Sequence, residues 1–392
     1  MTSSRTLPRA AVGGAILAIV VAACGGGASL APATPNATGT PAATTDASVG
    51  PSADPMVALV EAAKAEGGLT TIALPRTWCN YGDLIDGFTA KYGIPINGLN
   101  PDGSSQQEVD AIKANQGSTG PQAPDVIDVG LSFGPQAKTD ALIQPYKVST
   151  WDSIPASAKD ADGYWYGDYY GVLAFETNTD VQPDVPADWA DLLDPKYSGQ
   201  IALAGNPVKS NQAISGVWAS SFANGGGGDN AAPGLDFFKQ LNDKGNYVPV
   251  IGNAATVVGG ETPVRITWTY NGLADKDANA GTVNIEVAVP KTGRFGGMYV
   301  QAISAYAPHP NAAKLWMEYL YSDEGQNLWL KGYCNPIRYD DMVTRSAVDA
   351  TLAAKLPDTS GAFLPTLDQI TAATKVITEG WPTVVGVVVP DK

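Results

Sequence analysis

Histidine is nearly absent from this chain: 392 residues hold one, His309. A Ser/His/Asp hydrolase or a histidine-based metal centre therefore lacks its material, because His309, in Pro308-His309-Pro310 before a helix at about Ala312 to Tyr321, has no partner motif. Cysteine is scarce as well, and Cys24, Cys79 and Cys334 are not spaced as a metal set. Charged residues make up only 16% and are biased in sign, with 24 Lys and Arg against 39 Asp and Glu, a net charge of −15. That balance disfavours nucleic acid as a partner and a basic membrane-binding face. Beyond the first 24 residues no run of about 20 apolar residues occurs, so nothing else spans a bilayer as a helix. Gly225 to Gly228 lacks the strand and the lysine that a phosphate loop requires.

What is present begins at the amino terminus. Arg5 and Arg9 form a short positive region, and Ala10 to Ala23 is an apolar run of about 14 residues, the length of a signal peptide rather than of a membrane span. The run ends Val21-Ala22-Ala23-Cys24, which resembles the lipobox of bacterial lipoproteins, so residues 1–23 are expected to be removed and Cys24 lipidated. The competing reading is an ordinary signal peptide, or an uncleaved anchor, with Cys24 an incidental thiol. A diacylglyceryl group would supply the two acyl chains that stable anchoring needs. The net charge becomes −17 once Arg5 and Arg9 leave with the signal, which contains no acids. Residues 24–54 (CGGGASLAPATPNATGTPAATTDASVGPSAD) are too poor in apolar surface to offset their chain entropy and read as a disordered tether, with a reach of about 30 Å. In the oxidising compartment this implies, Cys79 and Cys334 are free to pair, and an even pair in an exported chain favours a disulfide over a metal site.

Pro55 to Lys392 is long enough for two lobes. Asp54 and Pro55 open a helix that ends at Gly67-Gly68. Strands are expected at Leu69 to Leu74, Ile94 to Leu99 and Asp125 to Val129, alternating with helices at Asp83 to Tyr92 and Ser104 to Asn115, a pattern of parallel pairing with crossover helices. Ligands sit beyond the carboxyl ends of such strands, which points to the loops Arg76 to Tyr81 and Gly130 to Gly134 and so to Ser132 and Phe133. An aromatic-dense stretch, Asp162 to Asn178, follows. Further strands are expected at Gln200 to Ala204, Val264 to Thr269, Val283 to Val289 and Met298 to Ala307, with helices at Gln212 to Phe222 and Leu235 to Leu241.

Pro186 to Ala204, Ile266 to Leu273, Val287 to Gly293, Gln301 to Ala313 and Tyr319 to Pro336 together resemble, in order, the periplasmic polyamine-binding protein and its relatives, the extracellular solute-binding proteins of ABC importers that also take ferric ion, thiamine and phosphonates. The resemblance implies an α/β, two-lobed periplasmic-binding-protein clamshell of type II, each lobe a mixed sheet flanked by helices, joined by crossing strands. Lobe 1 would be residues 55–174 with 298–338, lobe 2 residues 175–297 with roughly 339–392. It implies a monomer, no cofactor and no enzymatic activity, located outside the cytoplasm on the outer face of the cell membrane or in the periplasm. Its partners would be a small solute, an ABC permease, and the bilayer that holds its lipid.

Positions carried over from the family pocket are Thr77 and Cys79 with Trp78 between them, Tyr270 before Asn271, Tyr299 and Tyr333. Cys79 and Cys334 then adjoin one pocket, which makes a bridge between them sensible. Tyr169-Tyr170 is tempting for ferric ion, but adjacent strand residues point to opposite faces. Both are expected at the lobe junction, with Tyr170 a candidate contact. The carboxylates that would hold a dication are replaced, at the matching second-lobe positions, by Gly205, Asn206 and Lys209, and beside the return strand by Gly297 and Tyr299. Lys209, Ser210 and Asn211 open a helix whose free N–H groups favour an anion, and Arg76 would add a clamp from the opposite lobe. The preferred solute is neutral or anionic with an aromatic or apolar part: phosphorylated, a phosphonate or thiamine-like. The alternatives are a polyamine or ferric receptor, or a tethered sensor uncoupled from transport.

Overall fold

The computed structural model describes residues 54–390; the signal, Cys24 and nearly all of the tether lie outside them. The strands among these residues are β1 Leu69–Ile72, β2 Ile96–Leu99, β3 Val126–Gly130, β4 Ile143–Gln144, β5 Tyr166–Asn178 and β6 Ile201–Leu203. They continue with β7 Tyr247–Ile251, β8 Val264–Trp268, β9 Ile285–Ala288, β10 Gly296–Ser304 and β11 Asn335–Pro336. The helices of the first half are α1 Pro55–Glu66, α2 Tyr81–Tyr92, α3 Ser105–Ala114, α4 Phe133–Thr139, α5 Asn211–Phe222 and α6 Ala232–Asp243. Those of the second are α7 Ala254–Val258, α8 Thr269–Ala278, α9 Pro310–Leu320, α10 Asp323–Lys331, α11 Tyr339–Thr344, α12 Ala350–Ala353 and α13 Leu367–Val384.

The elements form where the residue pattern places them, and their ends have local causes. Asp54 accepts the Met56 amide and Pro55 opens α1, while Gly67 closes it at φ +82°. Strand β1 stops at Ile72, two residues before the apolar run does, because Ala73 turns to φ +55°. Ser104 and Gln107 close a capping box at the start of α3.

β1 and β2 pair in parallel across α2, as the strand-helix-strand reading requires. β3 touches β1 through the Asp125 amide, which donates to the Thr70 carbonyl, but its ladder partner is β10, antiparallel. The large sheet runs β3-β10-β5-β8-β6-β7. Within it β5 is the shared strand. Its first half pairs with β10 and β11, and its second half with β8 and β9, all antiparallel. β6 lies parallel to both β7 and β8. The α/β clamshell of type II inferred from the sequence is thus the fold observed. Two glycines in register, Gly171 of β5 and Gly297 of β10, let aromatic rings settle on the crossing. A methyl group on Gly171 would lie 2.5 Å from the Tyr270 ring, and one on Gly297 would lie 2.2 Å from that of Trp268.

After β10 the chain divides its contacts. α11 and α12 are held to α10, with Arg345 on Asp323, and Asn327 accepting the Asp349 amide. α13 instead packs on α6, where Trp381 meets Phe238 at 5.7 Å.

Cys79 and Cys334 are joined, with Cα atoms 5.6 Å apart across a sequence separation of 255. The bridge clamps backbone of an uncommon kind, since Cys79 (φ +44°), Asn80 (φ +64°) and Tyr333 (φ +64°) are all left-handed. Such conformations persist only where the surroundings over-determine them. Replacing both cysteines by serine is expected to lower stability by about 2–4 kcal/mol, read as a lower urea midpoint. An unchanged midpoint would show that the bridge constrains nothing the packing does not.

Candidate functional site

Between the two ends of the large sheet lies a cavity of about 700 Å3, within the range that holds small-molecule ligands. One wall comes from the loop after β1, the start of α3, and β3. The other comes from the loop between β6 and α5, the segment Ile251 to Ala255, β8 and α8. Tyr299 on β10 lies between them.

The second wall opens on the amino end of α5. Gly205, at φ +152°, turns the chain off β6, and Ser210 caps the helix by accepting the Ala213 amide. The amides of Asn211 and Gln212, at the first two positions, have no acceptor within the helix and carry the positive end of its dipole. Lys209 immediately precedes the capping Ser210, and Arg265, from β8, adds a buried guanidinium to the same wall. Glu176 stands beside Arg265 in the β5–β8 register. Nε of Arg265 donates to Glu176 at 2.7 Å, and Nη2 to Asp275. Burial pushes the Glu176 carboxyl up to about 7, against the pull of Arg265.

The first wall is acidic, and its deepest part is a hydrogen-bonded chain. Trp78 Nε1 donates to Tyr169 Oη at 2.5 Å, and Tyr169 donates to Asp128 Oδ2 at 2.7 Å. Tyr81 donates to the same oxygen at 2.8 Å and is itself held by Gln301, which also donates to Asp168 at 3.0 Å. The Asp128 amide donates to Glu108 at 2.9 Å. Among the described residues, none of the bonds that join this group comes from a lysine or an arginine. Burial raises the Asp128 carboxyl to about 7, with the two phenol donors pulling the other way, and burial followed by the Asp128 charge raises Asp168 and Glu108. Above the chain Trp78 meets Tyr299 and Tyr270 edge-on, each at 5.3 Å.

Of the residues singled out from the sequence, Thr77, Trp78, Asn206, Lys209, Ser210, Asn211, Asn271 and Tyr299 line the cavity. The others stand elsewhere. Arg76 is 59% exposed and bound to Asp86 on the surface at 2.5 Å, because its loop turns the guanidinium toward α2. Tyr270 is fully buried behind Trp78. Ser132 and Phe133 begin α4, away from the cavity. Tyr170 does not line the cavity, and Tyr169 is the member of that pair bonded to the lining residues Trp78 and Asp128. Tyr333 donates to Asp277, tying the segment after α10 to α8. His309, which had no partner motif, pairs with Asp125 at 2.8 Å, a contact made across 184 residues.

Sequence reasoning missed Glu108, Asp128 and Arg265. The two acids lie on elements where the polyamine pocket offered no position to compare. The only signal at Arg265 was a cation inside an apolar strand, VRITW. The dication carboxylates are absent where they were sought, but acids line the opposite wall.

The raised Asp128 pKa fixes a sign. The native state keeps this proton between about pH 4 and about 7, where an unfolded carboxyl has lost it. Its contribution to stability therefore falls as pH rises through that window. Asp128→Asn removes the titration, so the melting temperature of the variant should match wild type near pH 4 and exceed it at pH 8. A difference that does not change with pH would contradict the buried charge.

Comparison with known proteins follows the geometry. The family described as "Bacterial extracellular solute-binding protein" matches residues 122–364. An uncharacterized protein of Haemophilus influenzae is 29% identical over 265 residues, 62% of this chain and 70% of its own. Iron uptake protein A1 of Synechocystis is 25% identical over 134 residues, 34% of this chain and 36% of its own. Among solved structures, the periplasmic binding protein AfuA of Actinobacillus pleuropneumoniae, with exogenous fructose-6-phosphate bound, aligns at a TM-score of 0.64 and 22% identity over 82% of this chain and 98% of that one. Iron-bound HitA of Pseudomonas aeruginosa aligns at 0.59 and 17% over 82% and 99%. These structural likenesses speak for the fold, and the family match extends over more than half of the sequence. The chain belongs to the bacterial extracellular solute-binding proteins of ABC importers.

Proposed function

We propose that this receptor captures a small anionic solute, best fitted by a phosphorylated one, and is held at the outer membrane face by lipid on Cys24. The observation that carries the reading is the second wall of the cavity. There the free amides at the head of α5, Lys209 and the Arg265 guanidinium converge on one space. Amides and dipole at a helix start favour an anionic group, and Lys209 and Arg265 bring cationic side chains to the same wall, Arg265 with its Nε and Nη2 already on Glu176 and Asp275. The fructose-6-phosphate bound to AfuA is consistent with this chemistry.

Residues 55–174 with 298–338 would form one lobe, and residues 175–297 the body of the other. A solute touching both walls binds the closed form more tightly and so shifts the population toward it. Gly130 permits that closure. A methyl group there would lie 2.3 Å from the Asn211 side chain, so the end of β3 and the head of α5 meet only because no Cβ intervenes. The closed form is what a permease would engage.

The ferric reading has less support. It asks for ionised phenols, whereas burial pushes Tyr169 and Tyr270 well up, and the Tyr169 hydroxyl is already committed to Asp128. The acidic first wall favours the polyamine alternative, although two of its carboxyls, Glu108 and Asp128, are raised toward the neutral form.

A thermal-shift series on the mature protein tests these readings with sugar phosphates, thiamine phosphates, phosphonates, ferric citrate, putrescine and spermidine. Phosphorylated compounds should raise the melting temperature in step with ligand excess over Kd, about 2.7 kcal/mol at a hundredfold excess. Spermidine should do little. A larger rise with spermidine than with any anion would overturn the proposed solute class. Mass analysis of membrane-extracted protein should find an amino-terminal peptide beginning at lipidated Cys24; an unmodified thiol there would remove the anchor.

A further inference from the structure

We infer that the solute is dipolar: its anionic group rests on the Lys209 and Arg265 wall, and a hydrogen-bond donor, hydroxyl or ammonium, rests on Asp128 across the cavity. The inference builds on the anionic reading above and adds the chemistry of the solute's other end.

Two independent observations carry it. The first is segregation of charge. Asp102, Glu108, Asp110 and Asp128 line the first wall, and no lysine or arginine among the lining residues belongs to it. Both lining cations stand on the second wall, where the single acid, Asp275, is already bound to Arg265. An anion placed against the first wall would meet repulsion, and one against the second attraction.

The second observation is an orphan acceptor. Asp128 is 5% exposed, and its Oδ2 takes both phenol hydrogens, while Oδ1 has no partner among the described residues. The phenols are not free to shift across, since Gln301 holds Tyr81 and Trp78 holds Tyr169. Glu108 makes no bond to Oδ1: its contact with Asp128 is the acceptor one, from the Asp128 amide to Oε2. Above about pH 7, where Asp128 has lost its proton, Oδ1 is a buried carboxylate oxygen without a donor, which is costly, and a donor on the solute relieves that cost only when bound. The cavity, at about 700 Å3, has space for such a second group beside a phosphate. Asp128 is accordingly a specificity-determining contact, selecting solutes that carry a donor away from the charge.

Asp128→Asn separates the two ends. The amide oxygen can keep both phenols, which leaves the amide nitrogen, itself a donor, facing the solute's donor. Calorimetric titration of wild type and variant would use inorganic phosphate, glucose 6-phosphate and phosphoethanolamine. Wild type should bind at least one of the two larger probes about tenfold or more tighter than inorganic phosphate, and the variant should lose about tenfold or more of that affinity, the size of one charge-assisted hydrogen bond. Inorganic phosphate should change less than about threefold. A preference for glucose 6-phosphate assigns a hydroxyl donor, and one for phosphoethanolamine an ammonium. Equal affinities for all three in wild type, or a variant that binds both larger probes unchanged, overturns the inference and leaves the anionic reading standing. Binding of no anion by wild type, in this set or in the thermal series, overturns both. The melting temperature of the variant, expected at or above that of wild type at pH 8, excludes misfolding as the cause of any loss.

Discussion

Thirteen residues of β5 hold the two ends of the molecule in one sheet. Tyr166 to Val172 answer to β10, and Leu173 to Asn178 to β8 and β9, so each end relies on a strand it shares with the other. Because β5 is almost entirely buried, that division survives only with glycines where rings approach, at Gly171 and at its partner Gly297. Tyr270 and Trp268, settled on that crossing, form the base against which Trp78 packs. The cavity is therefore a consequence of how the sheet is shared.

The electrostatics follow from the same division. Each end places its own buried charges at the cavity: an uncompensated acid group under β3, and a compensated Arg265 group on β8. Neither arrangement is efficient for stability. Raised carboxyls at Asp128 and Glu176 record the cost of desolvating charge inside the fold. Groups held at such cost beside a cleft are candidates for binding, and here both lining cations, Lys209 and Arg265, stand on the wall that faces Asp128. The Cys79–Cys334 bridge serves the same site, since it fixes the left-handed turn that presents Thr77 and Trp78.

Much of the fold was legible in the sequence. The alternation of apolar runs with capped helices placed β1, α2, β2, α3 and β3 to within a few residues, and the ordered motifs from Pro186 to Pro336 marked the clamshell. Legibility fell where long-range packing decides. β3 was expected beside its sequence neighbours, yet β10, some 170 residues on, supplies its ladder. Half of the site was visible for the same local reason: Lys209, Ser210 and Asn211 are consecutive and begin a helix. Arg76 read as a clamp because its distance to Asp86, ten residues away around a turn, is not written in the motif. Asp128 and Arg265 escaped notice because a charge inside an apolar strand gives no sign of which face it occupies or what lies across the gap.

Small-angle X-ray scattering of the mature protein, with and without a saturating phosphorylated solute, bears most directly on the central claim that the walls close on an anion. The account predicts a smaller radius of gyration with solute in wild type, and no contraction in Gly130→Ala, where a methyl group would strike Asn211 before the walls meet. Superimposable wild-type profiles at saturation would contradict it.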